Sequence, residues 1–113
     1  ARDFLRVWLA QVTLVVTETQ LLQNFPNPFN PETWIPYQLQ GGGDVTIRIY
    51  SATGQLVRTL ALGHKPAGTY TTRQTAAYWD GRDEAGQRVS SGVYFYRLDA
   101  ADFTQTRKMI VQK

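Results

Sequence analysis

An antiparallel β-sandwich is the fold class that the sequence predicts, and three observations predict it. Roughly seven or eight short strand-like runs follow one another, each ended by turn residues. Six Tyr, five Phe and three Trp stand among many Val, Thr and Ile in a chain that is 42% apolar, a composition that favours pleated, half-buried surfaces over helices. Where alternation is cleanest, in "DVTIRIY", Val45, Ile47 and Ile49 fall on one face and Thr46 and Arg48 on the other. At 113 residues the chain is long enough for one core.

The elements follow in order. Residues 1–20 form an apolar N-terminal segment, and residues 21–113 the sandwich. In the first segment Leu5, Trp8, Leu9, Val12, Val15 and Val16 fit helical spacing, whereas "VTLVVTET" is β-branched. Residues 4–11 are therefore open between the two, and 12–18 are read as a strand. "NFPNPFNPETWIPYQL" carries four of the five prolines. Proline removes a backbone donor and fixes φ, so this stretch is neither helix nor central strand, and "WIPYQL" belongs at a sheet edge. Asn27-Pro28 and Asn30-Pro31 are turn-initiating pairs. Phe25, Pro26, Asn27, Pro28, Phe29, Asn30 and Pro31, with Trp34 beyond, are expected to fold back as a lid over an open end of the sandwich. Each ring buried there contributes roughly 1.5–3 kcal/mol.

Beyond the prolines, "DVTIRIY" is a strand, "SATG" a turn, and "QLVRTLAL" a strand ending at Gly63. Pro66 and Gly68 mark a turn before a short strand. "AAYWDGRDEAGQRVSSG" starts as a strand, and its Asp80-Gly81 is the strongest hairpin signal in the chain. "VYFYRLDA" and "FTQTRKMIVQK" pair through a tight turn at 100–102. In the former, Tyr94, Tyr96 and Leu98 face the core and Val93, Phe95 and Arg97 the outside, or the reverse.

"NFPNPFNP", "VTIRIYSATGQLVRTL", "YWDGRDEAGQRVSSGVYFYRL" and "RKMIVQK" resemble, in that order, the C-terminal sorting domain of type IX secretion substrates. The middle part is also similar to the Ig-like module of the flagellar hook-capping protein. The resemblance covers residues 21–113 and implies an Ig-like sandwich of about seven strands. It further implies an export address read by an outer-membrane translocon, with cleavage and surface attachment afterwards, and a secreted or cell-surface location. The signal would lie in Lys108, Met109, Ile110, Val111 and Lys113. Residues 1–20 depart from the family's polar linkers. Phe4, Leu5, Val7, Trp8, Leu9, Val12, Leu14 and Val16 would suit a strand donated to the open edge of a neighbouring copy, and repetition of that contact would build a filament.

Several function classes are disfavoured. The net charge of +3 comes from scattered Lys and Arg without a basic stripe, so nucleic acid is not the expected partner. Phe4–Val16, broken by Arg6, Gln11 and Thr13, is too short for a membrane span. It also lacks the marks of a signal peptide, so any export leader is expected to have preceded Ala1. No cysteine is present. His64 is the sole histidine and lies among turn residues, which suits a surface position better than a catalytic or metal-binding one. "DGRDEAG" imitates a calcium loop, but Arg82 stands at its third position and Ala85 at the sixth, where glycine is required; Asp80 and Asp83 bonding turn amides is the simpler reading. Trp79 suits a sandwich core better than a sugar platform. No cofactor motif occurs, and enzyme activity is not expected. Protein partners are, either secretion machinery or neighbouring copies in a homo-polymer, with carbohydrate binding as a lesser alternative.

Overall fold

A computed structural model describes residues 16–112, and among them there is no helix. Nine strands follow one another: β1 (Gln20–Leu21), β2 (Thr33–Ile35), β3 (Tyr37–Leu39), β4 (Gly43–Ser51), β5 (Leu56–Lys65), β6 (Gly68–Tyr70), β7 (Ala77–Trp79), β8 (Gly92–Ala100) and β9 (Phe103–Val111). The four long ones form an antiparallel sheet in the order β5-β4-β8-β9, and the short ones form β1-β3-β6 and β2-β7. Side chains from all three sheets meet in one core. The fold is the all-β, antiparallel Ig-like sandwich that the sequence predicts.

Alternation decides the two faces of the four-stranded sheet. Val45, Ile47 and Ile49 of β4, Tyr94, Tyr96 and Leu98 of β8, and Met109 and Val111 of β9 are buried. Of the two registers open for β8, the first is therefore the one formed. Trp79 is fully buried and donates its indole N–H to the Arg82 carbonyl at 2.9 Å. Tyr94, near the start of β8, donates its hydroxyl to the Ser90 carbonyl four residues upstream at 2.8 Å, the geometry of a tyrosine corner.

Several expectations are corrected. "WIPYQL" is not one edge strand. Buried Pro36 separates β2, which pairs with β7, from β3, which sits in the middle of its sheet. The proline thus marks a change of sheet and leaves both strands their donors. Gly63 does not end its strand: β5 runs on to Lys65, and Gly63, at φ 75°, forms a bulge in which Leu62 is the extra residue opposite Val45 and Thr46. Asp80-Gly81 does not join two paired strands, because β7 pairs with β2 and β8 with β4 and β9. It opens a loop whose own narrow turn lies at Asp83–Gln87. Of the strand expected over 12–18, the described residues 16–18 are irregular and the others lie outside the described range.

Candidate functional site

The two ends of the sandwich sequence, the proline-rich arm (residues 21–33) and β9, come together along one edge of the four-stranded sheet. Leu21 donates its N–H to the Gln105 side-chain oxygen at 2.8 Å, and Arg107 returns a 2.7 Å bond to the Leu21 carbonyl. Gln23 then donates to the Lys108 carbonyl (3.1 Å), and the Asn27 side chain accepts the Ile110 N–H (2.9 Å). Phe29 closes the row: its N–H meets the Ile110 carbonyl at 3.1 Å, and its carbonyl accepts the Gln112 N–H at 3.0 Å. The arm therefore occupies the outward backbone groups of Lys108, Ile110 and Gln112, which an edge strand would otherwise leave unpaired.

The arm is held from within as well. The Tyr96 hydroxyl accepts the Asn24 N–H at 2.9 Å and donates to the Leu22 carbonyl at 2.8 Å. Burial pushes this phenol up to about 12, against the opposing effects of the Asn24 amide and the Arg107 charge. Buried Asn24 spends its side-chain amide on Pro26 and Thr33. Phe29 is 2% exposed and meets Trp79 edge-on with centroids 5.5 Å apart. The Pro31 carbonyl lies where a Cβ on Gly81 would be, so the turn after β7 must carry glycine for the arm to close.

The expected lid residues thus divide. Phe29 enters the core, while Phe25 and Trp34 stack on the outside, 6.2 Å apart, with Tyr78 next in the row and the Arg73 guanidinium 4.5 Å above Trp34. Asn27 bonds β9, and Pro26, Pro28, Asn30 and Pro31 are exposed turn residues. The expected signal residues divide by alternation: Met109 and Val111 are core, Lys108 and Ile110 face solvent, and Lys113 lies outside the described range. Of the proposed donor residues only Val16 is described; it is half-buried and not in a strand.

The remaining candidates resolve simply. The His64 side chain is 69% exposed and 3.8 Å from Asp44, with no nucleophile in that pair. Asp80 accepts the Arg82 N–H, and Asp83 those of Ala85 and Gln87, so both bond turn amides. With Trp79 buried, no sugar platform forms there. No group of three or more metal-ligating side chains is found among the described residues.

Sequence reasoning missed the bonding of Gln105, Arg107 and Tyr96 to the arm. Their outward signal was slight: a charged residue and an amide at alternate positions of β9, on the face that Met109 and Val111 continue into the core.

A family model for the FlgD Ig-like domain matches residues 33–102. Among solved structures, the chain is similar to dimeric latent PorU from Porphyromonas gingivalis, with a TM-score of 0.62 and 22% identity over 82% of this chain and 9% of that one. It is also similar to PorZ, described as an essential bacterial surface component of the type-IX secretion system of Porphyromonas gingivalis, with a TM-score of 0.52 and 24% identity over 80% of this chain. This chain spans only 9% and 11% of those two proteins, and at these identities the likeness establishes the fold. No curated protein matches the chain. The resemblance read from the sequence holds.

Proposed function

The chain belongs to the family of FlgD Ig-like domains, and from that premise we propose that it is a non-catalytic sorting domain of the type IX kind, working by protein–protein contact at the cell surface. One observation carries this reading: the proline-rich arm and the C-terminal strand, the two motifs at the ends of the resemblance, are bonded to each other and form one surface. A tail held this way presents Lys108 and Ile110 in a fixed register, which is what a receptor needs in order to read it. The arm stands in for a neighbouring strand, so recognition falls to side chains rather than to strand addition at β9.

The test is export. The full chain, fused behind a reporter enzyme in a type IX-competent bacterium, is expected to carry the reporter to the surface. Removal of residues 108–113 is expected to leave it inside. A reporter retained in the periplasm with the intact chain refutes the reading.

A further inference from the structure

Three of the four large apolar side chains that stand exposed among the described residues, Leu56, Val93 and Ile110, lie at one end of a single surface, the outer face of the four-stranded sheet. Register makes them neighbours. Val93 pairs with Ile110, Tyr50 pairs with both Leu56 and Phe95, and Phe95 pairs with Lys108. On β4, β8 and β9 these positions alternate with the core residues Ile49, Tyr94, Tyr96 and Met109, so their outward direction is imposed by the same pleat that builds the core. Isolated exposed apolar residues need no explanation, but a contiguous aliphatic and aromatic patch does.

The patch is edged by cations. In the next row Arg48 and Arg97 face each other, and both reach the single Asp99 carboxylate, at 3.0 and 3.1 Å. Arg97 also lies 5.5 Å above the Tyr50 ring. Two guanidiniums share one carboxylate, and Lys108 has no ion-pair partner among the described residues, so this border carries surplus positive charge. The arginines are held in place by a carboxylate on their own face, and guanidiniums fixed in this way suit bidentate pairing with carboxylates set on a folded protein surface.

We propose that this face docks on a protein partner whose apolar surface is edged by Asp or Glu carboxylates. The proposal rests on the sorting reading above and assigns the partner's chemistry: the export receptor would meet Lys108 and Ile110 together with Tyr50, Val93 and Phe95, well beyond the tail itself. The contact would be read by side chains of β4, β5, β8 and β9 at once.

The reporter fusion tests it with three variants, each checked for an unchanged circular dichroism spectrum and melting temperature. Val93→Thr with Ile110→Thr keeps strand propensity and removes the apolar patch. Arg48→Glu with Arg97→Glu reverses the border charge. Tyr78→Thr alters an exposed aromatic on the opposite layer. The first two are expected to lower surface reporter roughly tenfold or more, as loss of a central interface contact does, and the third to leave it unchanged. Full display by the first two, with the unaltered chain also displayed, overturns this inference and leaves the sorting reading standing. Retention of the unaltered chain overturns both. Sedimentation of the chain with mixed phosphatidylcholine–phosphatidylglycerol vesicles, abolished by the charge reversal, would replace the protein partner with a lipid surface and likewise overturn the inference.

Discussion

Tyr96→Phe removes one oxygen atom, and with it the two hydrogen bonds that tie the centre of β8 to the backbone of the arm. The ring is fully buried and stays in place when the hydroxyl goes, so the void left is only that of one oxygen atom. The loss is therefore confined to two hydrogen bonds, the one accepted from Asn24 and the one donated to Leu22. Each strands a backbone group on the inner side of the arm, and a buried group left without its partner costs about 1–3 kcal/mol. Allowing for water reaching the half-buried Leu22 carbonyl, the expected destabilisation is about 2–4 kcal/mol. For a domain of this size that corresponds to a fall in melting temperature of roughly 10–20 °C. Urea denaturation measures the free energy. Hydrogen exchange of the Asn24 amide locates it, with protection expected to fall further than at Ile47 or Leu98. Tyr94→Phe is the internal control, because its hydroxyl serves only the exposed rim at Ser90 and should cost no more than about 1 kcal/mol. If the two variants prove equally mild, the arm is held by something other than Tyr96 and the reasoning fails.

Other consequences are as direct. Gly81→Ala places a methyl group against the Pro31 carbonyl at a φ of 76° and is expected to cost at least ~3 kcal/mol, whereas Gly54→Ala, at φ 89° in open space, should cost only the ~1–2 kcal/mol of the backbone conformation; equal melting temperatures would contradict the close approach of arm and turn. Alkali should unfold the domain. The Tyr37 phenol is pushed up to about 12 by burial and by Tyr70, and Tyr96 also reaches about 12 through burial. The stability they contribute is complete below their unfolded value of 10.0 and is lost as pH rises towards 12. An absorbance titration should show these two phenols ionising together with loss of the near-UV signal, and ionisation near 10 in a folded chain would contradict it.

Alternation was legible in the sequence wherever one face is core. "DVTIRIY" announces β4 with its buried positions, and the tight turn before Phe103 announces the β8–β9 hairpin. What was not legible is pairing between strands that no tight turn joins. Asp80-Gly81 reads as a hairpin because a local window sees a turn between two runs, yet the strand after it joins a different sheet. The glycine answers both to its positive φ and to the clash that a Cβ would make with Pro31, and the second contact spans fifty residues of sequence. Gly63 reads as a break because a bulge and a strand end use the same backbone freedom. The candidate site was half visible. The Asn-Pro pairs predicted turns, and the C-terminal run was singled out by resemblance, but nothing local says that Asn27 accepts from Ile110 or that Arg107 donates to Leu21. Those bonds cross more than eighty positions, and the burial of Tyr96 that supports them is a property of the assembled layers.

The covering of the sheet's edges bears on how such a domain works. β9 is covered by the arm, and β5 is covered over Val57–Thr59 by Glu84, whose N–H reaches the Val57 carbonyl and whose carboxylate takes the Thr59 N–H. An open edge offers affinity to any extended peptide, since backbone groups carry no sequence information. By occupying these positions the fold gives up that general adhesiveness and keeps contacts that depend on which side chains are present. The arm's bonds to Gln105, Arg107, Lys108, Ile110 and Gln112 also make the register of the tail conditional on the whole sandwich. A tail peptide alone would carry Lys108 and Ile110 but not the Val93, Phe95 and Tyr50 that stand beside them, nor the pleat that sorts Met109 inward. On the sorting reading proposed above, a receptor using the outer face distinguishes a folded domain from its unfolded chain, so that export waits on folding.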